Sequence, residues 1–101
     1  MNQIENITCM EQKLDEATAI IKDFTDAFEK YVAAQTYIKE LVAYYESEEW
    51  RRDFEDDDAG RLPKDLKRGV LSEDGIYNLL AENRALLLEM QELVEKNVRD
   101  L

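Results

Sequence analysis

Acidic residues three positions apart come nearest, in this sequence, to a catalytic pattern. Carboxylates with this spacing on facing helices can hold Mg²⁺ in all-α nucleotide hydrolases. The sequence has them at Glu46 and Glu49, at Asp23 and Asp26, and at Glu89, Glu92 and Glu95. Except for the first pair, which lies at a helix junction, these acids fall opposite the apolar positions of their helices and would face water. We therefore expect no catalytic site and no enzyme.

A run of four acids from Glu55 to Asp58, followed by Gly60, resembles part of a calcium-binding loop. With Gly60 at the sixth position of an EF-hand loop, the twelfth position should be a bidentate Glu, but it falls on Leu66. The run is more typical of a solvent-exposed helix end. We expect no metal and no cofactor.

A cluster of cations lies between residues 48 and 72, which hold six of the 13 Lys and Arg residues and the only Trp. Guanidinium groups bind planar oxyanions in a bidentate manner, so this segment could recognise an anionic partner. Pairing with the neighbouring acids is the competing interpretation, and exposed pairs of that kind contribute little. The predicted recognition surface consists of Trp50, Arg51, Arg52, Arg61, Lys64, Lys67 and Arg68.

Other chemistry is excluded by composition. The chain has no His, which removes imidazole bases and His-ligated zinc, and Cys9 alone can form neither an internal disulfide nor a redox pair. The net charge of -11 disfavours nucleic acid as a partner. The longest uncharged stretch has only eight residues, Tyr31 to Ile38, and the N-terminus has neither a basic nor an apolar region. We expect a cytoplasmic protein with no membrane segment.

The elements that would position these residues are helical. A series of twelve positions runs from Ile7 to Tyr45 in alternating steps of three and four residues. Eleven of these twelve residues are apolar or aromatic. Because no Gly or Pro precedes Gly60, this pattern predicts one helix over residues 3–46. A neighbouring row that includes Ile20 and Leu41 is also apolar, so we expect this face to be buried against more than one helix.

The second half of the chain contains its own helix signals. Ser47 is a predicted N-cap for a short helix over about 48–58, which would stop at Gly60, and Pro63 to Gly69 predicts a further turn or two. Ser72 is a predicted N-cap for a long helix over about 73–100, with Leu71 and Ile76 spaced for a hydrophobic staple.

One stretch of this sequence resembles a known family. The run Lys67-Arg68-Gly69-Val70-Leu71-Ser72-Glu73-Asp74, with Glu48 to Glu55 before it and Gly75 to Tyr77 after it, is similar to the bacterial family DUF4298. The resemblance extends over nearly the whole chain. Because this family carries no assigned activity, the resemblance implies a small bacterial cytoplasmic helical protein and transfers no catalytic or ligand residue.

The predicted fold is all-α: an elongated antiparallel hairpin or bundle of two long helices joined by a short helical cap over residues 47–72. Residues 1–101 would form a single domain. The first helix is longer than the second by about 20 Å, so part of its apolar face stays uncovered. We predict a homodimer that uses this part, with contact residues Ile4, Ile7, Met10 and Leu14.

The predicted function is a non-catalytic helical module for protein–protein interaction or scaffolding, with an unknown protein partner besides the second copy. Two alternatives stay open. One is a small-anion or nucleotide-binding protein, including an Mg²⁺-dependent phosphohydrolase at a dimer interface. The other is an acidic protein that mimics nucleic acid.

Overall fold

The fold was examined in a computed structural model, which describes residues 2–100; Met1 and Leu101, the ends of the predicted domain, lie outside this range. No strand occurs in the described range. The predicted all-α class is therefore confirmed, with two long helices joined by a shorter helical segment. The helices are α1 (Gln3–Tyr45), α2 (Glu48–Asp58) and α3 (Gly75–Asn97), and 3₁₀ turns lie at Gly69–Leu71 and Val98–Asp100.

The described chain comprises two units that divide within α1. Residues 2–37 form the first unit, which is helical from Gln3 onward and contains no other element. Residues 38–100 form the second unit, which holds the last turns of α1, all of α2 and α3, and the segment that connects them. The chemistry-bearing candidates of the sequence lie mainly in this second unit.

The ends of α2 lie where the sequence predicts them. The Ser47 hydroxyl accepts a hydrogen bond of 3.2 Å from the Trp50 amide, which satisfies one of the free donors of the first turn. After α2, Gly60 has a φ of 75°, which lies in the left-handed region that glycine adopts most easily. The Gly60 amide donates to the Asp57 carbonyl at 3.0 Å and closes the helix end.

The segment from Pro63 to Arg68 forms a single turn, closed by a 3.2 Å bond from the Leu66 amide to the Pro63 carbonyl. The expectation of a short helix here is wrong. Arg68 explains the difference, because its guanidinium donates to the main-chain oxygens of Pro63 and Leu66. Side-chain donors thus replace the amide donors of a regular helix.

The start of α3 also differs from the prediction. Ser72 is not its N-cap: α3 begins at Gly75, after Asp74, which makes no side-chain capping bond. Ser72 instead joins two elements, because its hydroxyl donates to the Gly69 carbonyl at 2.9 Å and accepts from the Gly75 amide at 2.9 Å. Ser72 is thus shared between the 3₁₀ turn at Gly69–Leu71 and α3, which starts only at Gly75.

The buried core is very small. Leu71 and Ile76, the two residues of the predicted staple, are the buried apolar side chains of the described chain. α1 has no buried residue, so the expectation that its apolar face is buried is wrong for the single chain. Even the last turns of α1, which share the second unit with α2 and α3, are only partly covered.

Candidate functional site

Trp50 is a structural residue of the second unit. Its indole N–H donates to the Val70 carbonyl at 2.8 Å, which links α2 to the 3₁₀ turn before α3. Its ring stacks on Phe54 at a centroid distance of 5.2 Å and meets the edge of Tyr45 at 5.0 Å. Both arrangements are favourable aromatic geometries. The polar atom of Trp50 is thus already used inside the chain.

Two arginines of the predicted recognition surface bind the acidic run at the end of α2. Arg68 donates to the Asp57 carboxylate as well as to the two main-chain oxygens described above. Arg61 donates to the Asp56 carboxylate at 2.8 Å. The acidic run therefore fixes the connecting segment to α2, an arrangement that spacing along the sequence does not reveal.

The other cations are less constrained. Arg51 forms exposed pairs with Glu48 at 3.7 Å and Glu55 at 3.5 Å, both within α2. Such pairs contribute little to stability because water screens them. Arg52, Lys64 and Lys67 form no ion pair with any acid in the described range. Of the predicted recognition surface, these three cations are therefore available to bind a partner.

A pocket of about 500 Å³ lies next to one of these cations. Its apolar lining comes from α1, the 3₁₀ turn and α3, and includes Leu41, Val70 and Leu79, while Lys67 lies at the same pocket. Gly75 also lines this pocket. A larger residue would not fit at this position, because its Cβ would lie 2.2 Å from the Gly69 carbonyl oxygen. Gly69 itself has open space where a Cβ would be.

Tyr44 and Asp53 form the shortest link between α1 and α2. The Tyr44 hydroxyl donates to the Asp53 carboxylate at 2.6 Å. Burial, followed by the bond to Asp53 and the negative charges of Asp53 and Glu49, raises the pKa of Tyr44 to about 12. The phenol is therefore protonated at neutral pH and does not act as a base.

The acidic pairs singled out in the sequence do not come together. Among residues 2–100, no group of three or more Asp, Glu or Cys side chains is placed to hold a metal ion. Asp56 and Asp57 are engaged by arginines instead. Glu46 and Glu49, the pair that position alone left open, do not form such a group either.

Comparison with known proteins identifies the family. A family model described as "Domain of unknown function (DUF4298)" matches residues 7–93. The chain belongs to the DUF4298 family. Neither a curated protein nor a solved structure matches this DUF4298 chain. The resemblance read from the Lys67 to Asp74 run is confirmed.

The most extensive surface feature of this DUF4298 protein is apolar. The predicted dimer contacts Ile4, Ile7, Met10 and Leu14 are between 51% and 76% exposed. The exposed face continues well beyond them along α1, and a second exposed set lies on α3. The first set adds Ile20, Ile21, Phe24 and Phe28; the second includes Leu86, Leu87, Leu88, Leu93 and Val94.

The sequence predicted the apolar spacing of this face and its exposure from Ile4 to Leu14, but not its exposure as far as Phe28. Whether an apolar face is exposed depends on which other helices of the chain pack against it, and the fold determines this packing. None of the helices that the DUF4298 protein forms over residues 2–100 has the length and apolar character needed to cross a membrane.

Proposed function

We propose that this DUF4298 protein is a non-catalytic helical module that acts by binding another protein chain through the apolar faces of α1 and α3. The strongest support is that the chain has a very small buried core and, at the same time, long helices with many exposed apolar side chains. The exposed apolar residues of α1 recur every three or four positions and so form one face of the helix, and an exposed apolar face is typical of interaction sites. The proposal takes the protein to act in the bacterial cytoplasm.

Within residues 2–100, no group of three or more acids or Cys is placed to hold a metal ion, which fits a binding role. The sequence has no His, and Tyr44, with its pKa raised to about 12, is a poor proton acceptor at neutral pH. General acid–base catalysis needs a group that titrates near the working pH. A protein-binding role requires only shape and exposed apolar area.

The anion-binding alternative has less support. Of the predicted recognition surface, Trp50, Arg61 and Arg68 already bond to atoms of this chain. Arg52, Lys64 and Lys67 form no ion pair in the described range, so the alternative rests on these three cations. A thermal-shift screen with phosphate, nucleotides and Mg²⁺ tests it, and clear stabilisation would favour that alternative over the proposed function.

Site-specific photo-crosslinking tests the proposed function directly. A benzophenone amino acid replaces Phe24 on the apolar face in one variant and Ala19, on the opposite face, in the matched control. In the native cells, we expect Phe24 to form a discrete crosslinked product with a protein chain and Ala19 to form none. Equal background crosslinking from both positions would refute the proposal.

A further inference from the structure

We infer that the partner of the α1 apolar face is a second copy of this chain, which pairs with it antiparallel about a two-fold axis near Ile20. This inference rests on the proposed function, because it names the partner of the same apolar surface. Three observations carry it: the surface that must be covered, the period of the apolar positions, and the sizes of the residues along α1.

The first observation is the surface area. The chain exposes 9014 Å², whereas a folded monomer of its 11.9 kDa mass exposes about 5,900 Å². The surplus is about 3,000 Å² per chain, or about 6,000 Å² for two chains, whereas transient complexes bury less than roughly 1,200 Å² summed over both partners. Permanent homodimers bury roughly 2,000–5,000 Å² or more, so the surplus fits an obligate association. A chain with so small a core needs a partner that is present whenever it folds, and a second copy meets that condition.

The second observation is the strict alternation of three and four residues in the exposed part of α1. The alternation runs through Ile7, Met10, Leu14, Ala17, Ile21, Phe24 and Phe28. Such a seven-residue repeat favours left-handed packing against another helix with the same repeat. The side chains from residues 10 to 30 are all exposed in the single chain, so the repeat has no partner there.

The third observation is the order of large and small residues. In an antiparallel pair centred near Ile20, small Ala17 lies opposite Ile21 of the second copy. Leu14 then lies opposite Phe24, and Met10 opposite Phe28, so large and intermediate side chains alternate across the contact. A parallel pair in register would place Ala17 against Ala17 and Phe24 against Phe24, which combines a gap with overpacking.

Ile20 itself fits the same arrangement. It lies beside the repeat rather than in it, yet its residue surface is 66% exposed. In the antiparallel pair, whose two-fold axis passes at the level of residue 19, the two Ile20 side chains lie on either side of the axis and both are covered. The parallel pair leaves Ile20 next to Thr25 of the second copy, a less apolar neighbour.

Light scattering with matched variants tests the self-association. We expect the wild-type chain at tens of micromolar to have twice the chain mass of 11.9 kDa. Ile21→Asp puts a charge into the contact and should reduce the mass to that of one chain, whereas Ala19→Asp adds the same charge on the opposite face and should leave the dimer intact. A wild-type monomer, or equal dissociation of both variants, would overturn the inference.

The single cysteine gives the orientation without relying on a destabilised variant. With a spin label on Cys9, the antiparallel pair separates the two labels by about 30 Å along the helix axis. A parallel pair holds them at the same height, within about 20 Å, since each helix is only 10–12 Å wide. We expect the longer distance, and the shorter one would overturn the antiparallel arrangement. Phe24 crosslinking to a different protein while the chain is monomeric would uphold the proposed function and overturn this inference.

Discussion

The Tyr44 hydroxyl donates a 2.6 Å hydrogen bond to the Asp53 carboxylate and thereby ties the end of α1 to the middle of α2. Tyr44 and Asp53 are both half-buried, so water replaces this bond only poorly when it is lost. The bond holds α2 against the α1 end, which lets Trp50 reach Val70 and hold the start of α3 in place.

Replacing Tyr44 tests the importance of this link. Tyr44→Phe keeps the ring but leaves the Asp53 carboxylate without its donor, and we expect the free energy of unfolding to fall by about 1–2 kcal/mol. Urea unfolding followed by circular dichroism at a fixed chain concentration measures the change. Tyr37→Phe, at an exposed position of the same helix, is the control and should change stability by less than about 0.5 kcal/mol.

The raised pKa of Tyr44 predicts a dependence of stability on alkaline pH. The folded-state pKa of about 12 lies above the ordinary value of 10.0, so the protonated phenol favours the folded state. This contribution is complete below pH 10 and is lost as the pH rises from 10 to about 12. Wild type should therefore lose more stability than Tyr44→Phe over this interval, and parallel curves for the two proteins would contradict the assignment.

Arg68 should be far more sensitive to substitution than Arg52. Arg68→Lys keeps the charge but cannot reach Asp57, Pro63 and Leu66 together, so we expect a loss of about 1–3 kcal/mol in the free energy of unfolding. Arg52→Lys, at a cation without an acid partner in the described range, should be nearly neutral. Equal effects in urea unfolding would show that the Arg68 contacts do not stabilise the fold.

Replacement by Ala should affect stability differently at Gly75, which begins α3, and at Gly69, which begins the preceding 3₁₀ turn. Ala usually stabilises a helix relative to Gly by about 1 kcal/mol. In Gly75→Ala, however, the added Cβ would lie 2.2 Å from the Gly69 carbonyl oxygen, and we expect a net loss of stability of about 1–3 kcal/mol. Gly69→Ala meets open space and should be tolerated. Thermal unfolding of both variants measures the contrast.

Salt should strengthen self-association. Each chain carries a net charge of -11, and the contact proposed for α1 is apolar, so the two copies repel at long range. Raising NaCl from about 0.03 to 0.3 M shortens the screening length roughly threefold. We expect the dimer dissociation constant measured by analytical ultracentrifugation to fall several-fold. A rise would mean that ion pairs, rather than apolar burial, hold the copies together.

The helices of this fold follow from local signals, which is why they could be predicted from the sequence. The apolar period of α1, the Ser47 cap and Gly60 each act within a few residues of the structure they specify. The contacts of Arg68 and Trp50 could not be predicted in the same way, because Asp57 lies 11 residues from Arg68 and Val70 lies 20 residues from Trp50. Ser72 does accept a backbone N–H, that of Gly75, but α3 begins two residues later than predicted because a 3₁₀ turn precedes it.

The candidate binding surface was predicted in part. The residues from Ile4 to Leu14 are exposed as predicted, and the exposed face continues to Phe24 and Phe28, while the role of this face in a dimer stays a prediction. Whether an apolar face is covered depends on the other chains present, which spacing within one chain does not encode. The predicted cation surface stays a prediction for Arg52, Lys64 and Lys67.

Hydrogen exchange along α1 is the most direct measurement of the central claim that another protein chain covers its apolar face. In an isolated helix without buried residues, the amides between Ile4 and Phe28 would exchange nearly as fast as in a fraying peptide. We predict that these amides are instead protected as strongly as those around Ile76, and that dilution removes the protection. Fast exchange of this stretch at every concentration and in the native cell extract would contradict the account.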